Sequence, residues 1–263
     1  MSTPVAMIPY TNMAPYRQLG APAGCHFVPL VPRQSVNALM EGAVAAAAVP
    51  VGGLAQLGDR VEMAGCCGIG ARGVCMSVML FSRFPFDALA APRTLRITSE
   101  TASSVRLLYL LLGEAVGFER LPLLAPQGAA PDAELLIGDR ALIKGQDAAT
   151  ANEFPYVTDL SQRWLDTCGL PFVFARWVVR RDVPEAVKGA IGRWLDEFRE
   201  REAQLVEQAV APSAERLNMA PGVIRQYFRV IRRCLDETDV AGQERFMREI
   251  AALRREPLFR DAC

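Results

Sequence analysis

The chain has 263 residues, of which 51% are hydrophobic and 22% charged, and its mean hydropathy is +0.14. So apolar a chain buries a substantial core, which excludes disorder as a description of the whole and leaves one large domain or two modest lobes. Twenty-nine Lys and Arg balance 29 Asp and Glu, whereas nucleic-acid binders carry a basic excess and membrane-surface binders a polybasic patch.

In chain order, residues 5–10 read as an apolar strand closed by Pro9, and 26–31 as a second strand. A helix over 35–41 follows, with Gly42 as its stop signal. Residues 44–51 read as a short buried strand, although alanine prefers helix. A stronger strand covers 74–81 and is ended by Pro85. The extended stretch 94–98 leads through 99–104 into an apolar helix over 105–116, which Gly117 ends. Further strands are expected at 133–137, closed by Gly138-Asp139, and at 156–160 and 172–179. Strands alternating with helices predict an α/β fold with mixed, mostly parallel sheets, which bind ligands outside the carboxyl ends of their strands.

Charge is uneven along the chain: 26 of the first 175 residues are charged, against 32 of the last 88. The tail therefore reads as surface helices. Val187, Ile191, Trp194, Leu195 and Phe198 recur at helical spacing, Pro221 suits a second helix start, and Phe246, Ile250 and Leu253 mark a third stripe. The longest apolar runs, 43–53 and 107–113, fall well short of the roughly 20 residues that span a bilayer. With no signal peptide evident and seven cysteines lacking C-x-x-C spacing, the expectation is a cytoplasmic protein with reduced thiols.

The histidine inventory limits the chemistry. His26 is the sole histidine, so multi-histidine metal sites are impossible, and its place in an apolar strand points to a structural role. Cys66 and Cys67 are adjacent and would point to opposite faces of a strand. Neither a G-x-G-x-x-G nor a Walker sequence appears, which leaves a nucleotide cofactor without support. What remains is hydroxyl and amide side chains at strand-to-helix junctions. Thr98, Ser99, Thr101, Ser103 and Ser104 lie where a helix begins, and free N–H groups plus the helix dipole favour an anion there. Five hydroxyls exceed the one that simple N-capping by Ser99 or Thr101 needs, so the segment reads as a carboxylate or phosphate site. Tyr10-Thr11-Asn12 follows the first strand, and on residue type alone Asn12 is a turn former.

Five segments, in order, resemble one family. Ile8-Pro-Tyr-Thr-Asn-Met-Ala-Pro-Tyr16 looks like the opening motif of the chorismate dehydratase family of the futalosine route to menaquinone. Ser77-Val-Met-Leu-Phe-Ser82, Thr98-Ser-Glu-Thr-Ala-Ser-Ser-Val105, Leu135-Leu-Ile-Gly-Asp-Arg-Ala-Leu142 and Gly169-Leu-Pro-Phe-Val-Phe-Ala175 are similar to later ones. The resemblance implies a two-lobe fold like the type II periplasmic binding proteins, with lobe one at 1–82 plus 181–263 and lobe two at 83–180. It also implies a cytoplasmic lyase that converts chorismate to 3-[(1-carboxyvinyl)oxy]benzoate with neither metal nor organic cofactor. Asn12 and Ser77 are then the expected catalytic residues. Tyr10, Thr11, Ser82, Ser99, Thr101, Ser103, Ser104 and Asp139 are the expected substrate contacts.

Departures from the family pattern stand at Ala45, Ala71, Val74, Thr101 and Arg176. Arg72, Arg140 and Arg176 read as solvated arginines rather than carboxylate ligands. The alternative is a non-catalytic cytosolic binding protein for an aromatic or small carboxylate on the same fold. A neighbouring enzyme of the route, acting on a naphthoate precursor, fits less well because its catalytic histidine has no counterpart.

Overall fold

Two mixed β-sheets organise the chain, whose computed structural model describes residues 2–253 and 258–262. The first stretch runs β1 (Thr3–Met7), α1 (Ala14–Gln18), β2 (Cys25–Pro29), α2 (Pro32–Met40), β3 (Ala46–Pro50), α3 (Leu54–Leu57) and β4 (Val61–Ala71). A second runs β5 (Val78–Ser82), β6 (Thr94–Ile97), α4 (Ser103–Val116), β7 (Leu123–Leu124), β8 (Ala133–Ile137), α5 (Gly138–Gln146), α6 (Ala148–Glu153), β9 (Tyr156–Asp159) and α7 (Leu160–Cys168). The chain then returns through β10 (Phe172–Arg180), α8 (Glu185–Leu217), α9 (Pro221–Val230), β11 (Arg232–Cys234) and α10 (Glu237–Ala251).

The larger sheet has the order β11-β4-β10-β3-β1-β2 and the smaller β7-β6-β8-β5-β9. β1 pairs in parallel with β2 and β3, and β6 with β7 and β8. Pairing around β10, β4 and β5 is antiparallel, so the parallel share is smaller than the alternation of elements suggests. By sheet membership the chain changes sheets within 72–77 and again within 160–171. Both crossings come earlier than 82/83 and 180/181, because β5 pairs with β8 and β9 while β10 pairs with β3 and β4.

β8 and α4 illustrate local signals that survive folding. Ala133–Ile137 forms as the apolar run implies, and Gly117 at φ +88° ends α4, a conformation that costs a glycine little. β3 is a strand despite three consecutive alanines because every residue in it is buried. β4 goes unforeseen in the sequence because Gly65, Gly68 and Gly70 dilute its strand character. Packing requires Gly68: a Cβ there would lie 2.5 Å from the carbonyl oxygen of Ala175 on β10.

The tail is helical as its stripes predict, yet Arg232–Cys234 leaves the helical pattern to pair with β4. α8 runs 33 residues, through Pro212. Among the described residues no helix is long and apolar enough to cross a membrane. His26 lies on β2 at the sheet edge with its Nδ1 3.1 Å from the Ser2 hydroxyl, and Cys67 is buried while Cys66 is partly exposed.

Tyr16 ties the N-terminal segment to both the sheet and the tail. Fully buried, it stacks on Phe198 with ring centroids 3.8 Å apart and meets Trp177 edge-on at 5.6 Å. Its hydroxyl donates to the carbonyls of Gly68 and Arg233, at 3.1 and 3.2 Å. Burying such a ring stabilises the fold by about 2–3 kcal/mol, and it holds α1, hence the Thr11–Met13 turn before it, in place.

Candidate functional site

A cavity of about 60 Å³ lies between the two sheets. Tyr10 and Asn12 enter it from the segment after β1, Ser77 from the crossing before β5, and Thr101, Ser103 and Ser104 from the start of α4. Its remaining wall is apolar, and none of its lining side chains is charged. Six of the ten expected site residues thus converge, from segments as far apart as residues 10 and 104.

Asn12 brings an unsatisfied group to the cavity wall. Its Oδ1 is buried without a hydrogen-bond partner, while its backbone carbonyl accepts from Arg233 Nε at 3.2 Å. An orphaned buried acceptor costs about 1–3 kcal/mol, so a ligand donor that reaches it gains that amount. Ser77 is also buried, and its hydroxyl makes only a long 3.3 Å bond to the carbonyl of Cys75.

At the tip of α4, Thr101 Oγ1 accepts the Val105 N–H at 3.2 Å and Ser103 Oγ accepts the Gly52 N–H at 2.9 Å. Thr101 is therefore a cap as well as a cavity wall, and Ser103 joins the α4 tip to the segment after β3. Ser104 Oγ has no hydrogen-bond partner among the described residues and faces the cavity. Neutral hydroxyls and the positive end of a 14-residue helix suit a carboxylate without a lysine or arginine beside it.

The other four expected residues sit elsewhere. Thr11 is fully buried, its N–H donating to Asp139 Oδ1 at 2.8 Å and its hydroxyl accepting from Arg216. Asp139 Oδ2 takes Arg216 at 2.8 Å, so both carboxylate oxygens are engaged in a clasp between the α5 start and the end of α8. Ser99 is exposed and borders an outer recess of about 670 Å³ that shares Thr101 and Ala102 with the cavity wall. Ser82 closes the far end of β5, accepting the Phe84 N–H at 3.0 Å. Five residues of extended chain put it on the order of 16 Å from Ser77.

Tyr10 closes one side of the cavity. Its hydroxyl donates to Glu100 Oε2 at 2.5 Å, and its ring covers Gly138, where a Cβ would come within 2.7 Å of it. Burial, reinforced by the Glu100 carboxylate, pushes the Tyr10 phenol well above its ordinary range, so it stays a neutral donor. Gly138 has φ +61°, and its N–H donates to the Ser77 carbonyl at 2.8 Å.

Several supporting residues escape a reading by segments. Asp159 Oδ2 accepts the N–H groups of Cys75 and Met76, both at 2.8 Å, and its Oδ1 caps α7 through Ser161. That carboxylate holds Met76 at φ +61° and so aims Ser77. Arg233, which donates to the Asn12 carbonyl, and Arg216, which holds Thr11 and Asp139, come from the tail, and nothing near them in sequence marks their role. Arg72 and Arg140 are exposed as expected. Arg176 is not solvated: it is 7% exposed and donates to Gln243 and to the Gly65 carbonyl, bridging β10, β4 and α10. None of Ala45, Ala71, Val74 and Arg176 lines the cavity; Thr101, which does, keeps its hydroxyl.

A family model described as menaquinone biosynthesis matches residues 3–252. The chain belongs to that family. A protein of Thermus thermophilus named chorismate dehydratase is 31% identical over 268 residues, covering 95% of each chain. Solved structures share the fold of this chain. An Archaeoglobus fulgidus protein matches with a TM-score of 0.66 at 16% identity, covering 95% of this chain and 97% of its own. A Candida albicans protein described as having the generic periplasmic binding protein fold matches with a TM-score of 0.60 at 11% identity, covering 97% and 92%. This menaquinone-biosynthesis chain therefore has a periplasmic-binding-protein-like α/β fold, and the cavity lies between its two sheets.

Proposed function

We propose that this protein is a chorismate dehydratase, a cytoplasmic lyase of the futalosine route. The observation that carries the reading is that Asn12, whose buried Oδ1 has no hydrogen-bond partner, lines the same cavity as Ser77 and the α4 tip. The near-full-length likeness to a protein named for that activity supports it.

Chorismate has two carboxylates and a ring hydroxyl. The α4 tip, with Ser104 and the first-turn amides, is suited to one carboxylate, and the apolar wall to the ring. The substrate hydroxyl then donates to Asn12 Oδ1 and accepts from the Ser77 hydroxyl, which fixes its direction. Breaking the ring C–O bond leaves charge on that oxygen, so the bond from Ser77 strengthens as the reaction proceeds. The neighbouring ring C–H gives its proton to the substrate's own side-chain carboxylate, and the proton and hydroxide leave together as water. Aromatisation of the ring drives the step, so no strong protein base is required.

We further take the parts built on the two sheets, meeting at 72–77 and 160–171, as two lobes that part to admit substrate. A cavity of about 60 Å³ is small beside the roughly 300 Å³ at which pockets for such ligands begin. The Asp139 clasp to Thr11 and Arg216 belongs to the closed arrangement. Asp139→Asn keeps an acceptor for the Thr11 N–H but discards the ion pair, worth about 1 kcal/mol with Arg216 partly exposed. Its expected result is a KM for chorismate raised roughly fivefold with kcat little changed; an unchanged KM would remove the clasp from closure.

The direct experiment mixes purified protein with chorismate and follows the aromatic product. Turnover supports the reading, binding without turnover converts the protein to a carboxylate binder, and absence of both leaves only the fold.

A further inference from the structure

Strand β11 meets β4 at a pair of thiols. In the antiparallel register Cys234 stands directly opposite Cys67, and both are free cysteines. The next position along the ladder is joined by the Leu235 N–H, which donates to the Cys66 carbonyl at 3.0 Å. Hydrogen-bonded and open pairs alternate in such a ladder. Cys67 and Cys234 are therefore an open pair, with Cα atoms about 4.5 Å apart and side chains on one face. Disulfides span Cα separations of roughly 4.4–6.8 Å, so the two backbones already stand where a bridge needs them. Packing shows which face the thiols take. Leu235 shares its face with Gly68, where a Cβ would lie 2.7 Å from Leu235 Cδ1. Cys67, one residue earlier, projects to the other face, where its Sγ donates to the Leu195 carbonyl of α8 at 3.7 Å. Cys67 is buried and Cys234 partly exposed, so an oxidant reaches the pair through Cys234.

We infer that Cys67 and Cys234 are a modification site, a thiol pair that a hydroperoxide closes into a disulfide, stapling the C-terminal tail to the larger sheet. The chemistry runs in two steps. Cys234 Sγ attacks the peroxide O–O bond and becomes a sulfenic acid, its thiol proton leaving with the departing hydroxide as water; the sulfur loses two electrons and the peroxide gains them. Cys67 Sγ then displaces the sulfenic hydroxyl, which leaves as water with the Cys67 proton, and the S–S bond forms. The Cys67 thiol, followed by burial and Glu202, pushes Cys234 far above its ordinary range, so it waits as a neutral thiol and the first step is slow. In a reducing compartment both stay thiols, and the bridge answers sustained oxidant. The loop it closes is most of the chain, the case in which a crosslink removes the most unfolded-state entropy. β11 also carries Arg233, whose Nε donates to the Asn12 carbonyl, so the staple fixes a support of the cavity wall. Both cysteines belong to the larger sheet, which leaves movement between the sheets free.

The test incubates the purified chain with hydrogen peroxide or with dithiothreitol, alkylates it, and maps its peptides by mass spectrometry without reduction. The peroxide-treated chain is expected to yield the Cys67 and Cys234 peptides joined, about 2 Da lighter than the two thiol forms together. Its thermal midpoint is expected to rise by about 5 °C or more, and dithiothreitol to reverse the rise. Cys234→Ser should remove both the joined peptide and the shift, whereas Cys66→Ser keeps both. Cys234 recovered alkylated, as a sulfinic acid, or joined to Cys66 overturns the inference, and so does a joined pair that lowers the midpoint or leaves it unchanged. Should Cys234→Ser fail to fold, Cys234→Ala takes its place, and the wild-type peptide map decides by itself. Neither readout depends on turnover of chorismate, so the dehydratase reading stands or falls separately.

Discussion

Asn12→Ala is expected to lower kcat for chorismate dehydration about 100-fold or more while leaving the fold intact. The asymmetry follows from where each atom of Asn12 is used. Its backbone carbonyl, the part that supports structure, accepts from Arg233 and is untouched by the substitution. Its side-chain Oδ1 has no protein partner, so truncation orphans nothing and the expected stability change is within about 0.5 kcal/mol. What disappears is the acceptor that points the substrate hydroxyl at Ser77, and misplacement by an ångström costs about 100-fold in rate. Steady-state kinetics beside a thermal melt separate the two quantities. Activity near wild type would strike Asn12 from the mechanism; a melt lowered by several degrees would make its role structural.

Arg233→Met should have the largest effect on stability, a loss of about 3–5 kcal/mol. The side chain is 1% exposed, and it donates to the carbonyls of Asn12, Phe228 and Ile231 at 3.1–3.2 Å. Its Nη1 lies 3.7 Å from Glu202, a longer ion pair that supplies the compensating charge. Methionine matches the stem but removes every donor, which leaves buried carbonyls unpaired and the Glu202 charge without its cation. Urea denaturation reads the loss directly. The damage is expected to reach the cavity as well, since Arg233 is the link between β11 and the Asn12 turn. A variant within 1 kcal/mol of wild type would show that water or backbone adjustment replaces the guanidinium.

The two predictions differ in how visible their residues are to a reader of the chain. Asn12 belongs to a compact nine-residue motif, Ile8 to Tyr16, whose order survives folding because a turn and a short helix are local structures. The α4 tip is equally local: a run of hydroxyls before an apolar helix marks a helix start wherever it occurs. Arg233 has no such marker. It sits in a charged tail with 32 charged residues among 88, where solvation is the ordinary fate of an arginine. Arg176 misleads for the same reason, since exposure is decided by what β4 and α10 bring over it.

Strand β4 shows the complementary failure. Its glycines carry little strand propensity of their own, and they become strand residues only because neighbours approach too closely for any side chain. Asp139 and Ser82 stand in segments that match the family, yet one clasps Thr11 and Arg216 and the other ends a strand remote from the cavity.

From the amino-acid order alone came most of the strands and the main helices, though not β4, β7 or β11, together with the α/β class and the hydroxyls and amide of which Asn12, Thr101, Ser103 and Ser104 line one cavity. These rest on interactions within a few residues, where periodicity and capping are written directly. Tertiary structure alone decided the sheet order, the crossing points, the clasp at Asp139 and the support of Asn12 and Ser77 by Arg233 and Asp159. Those depend on which distant surfaces meet, and burial assigns a polar side chain its partner only after the chain has closed around it.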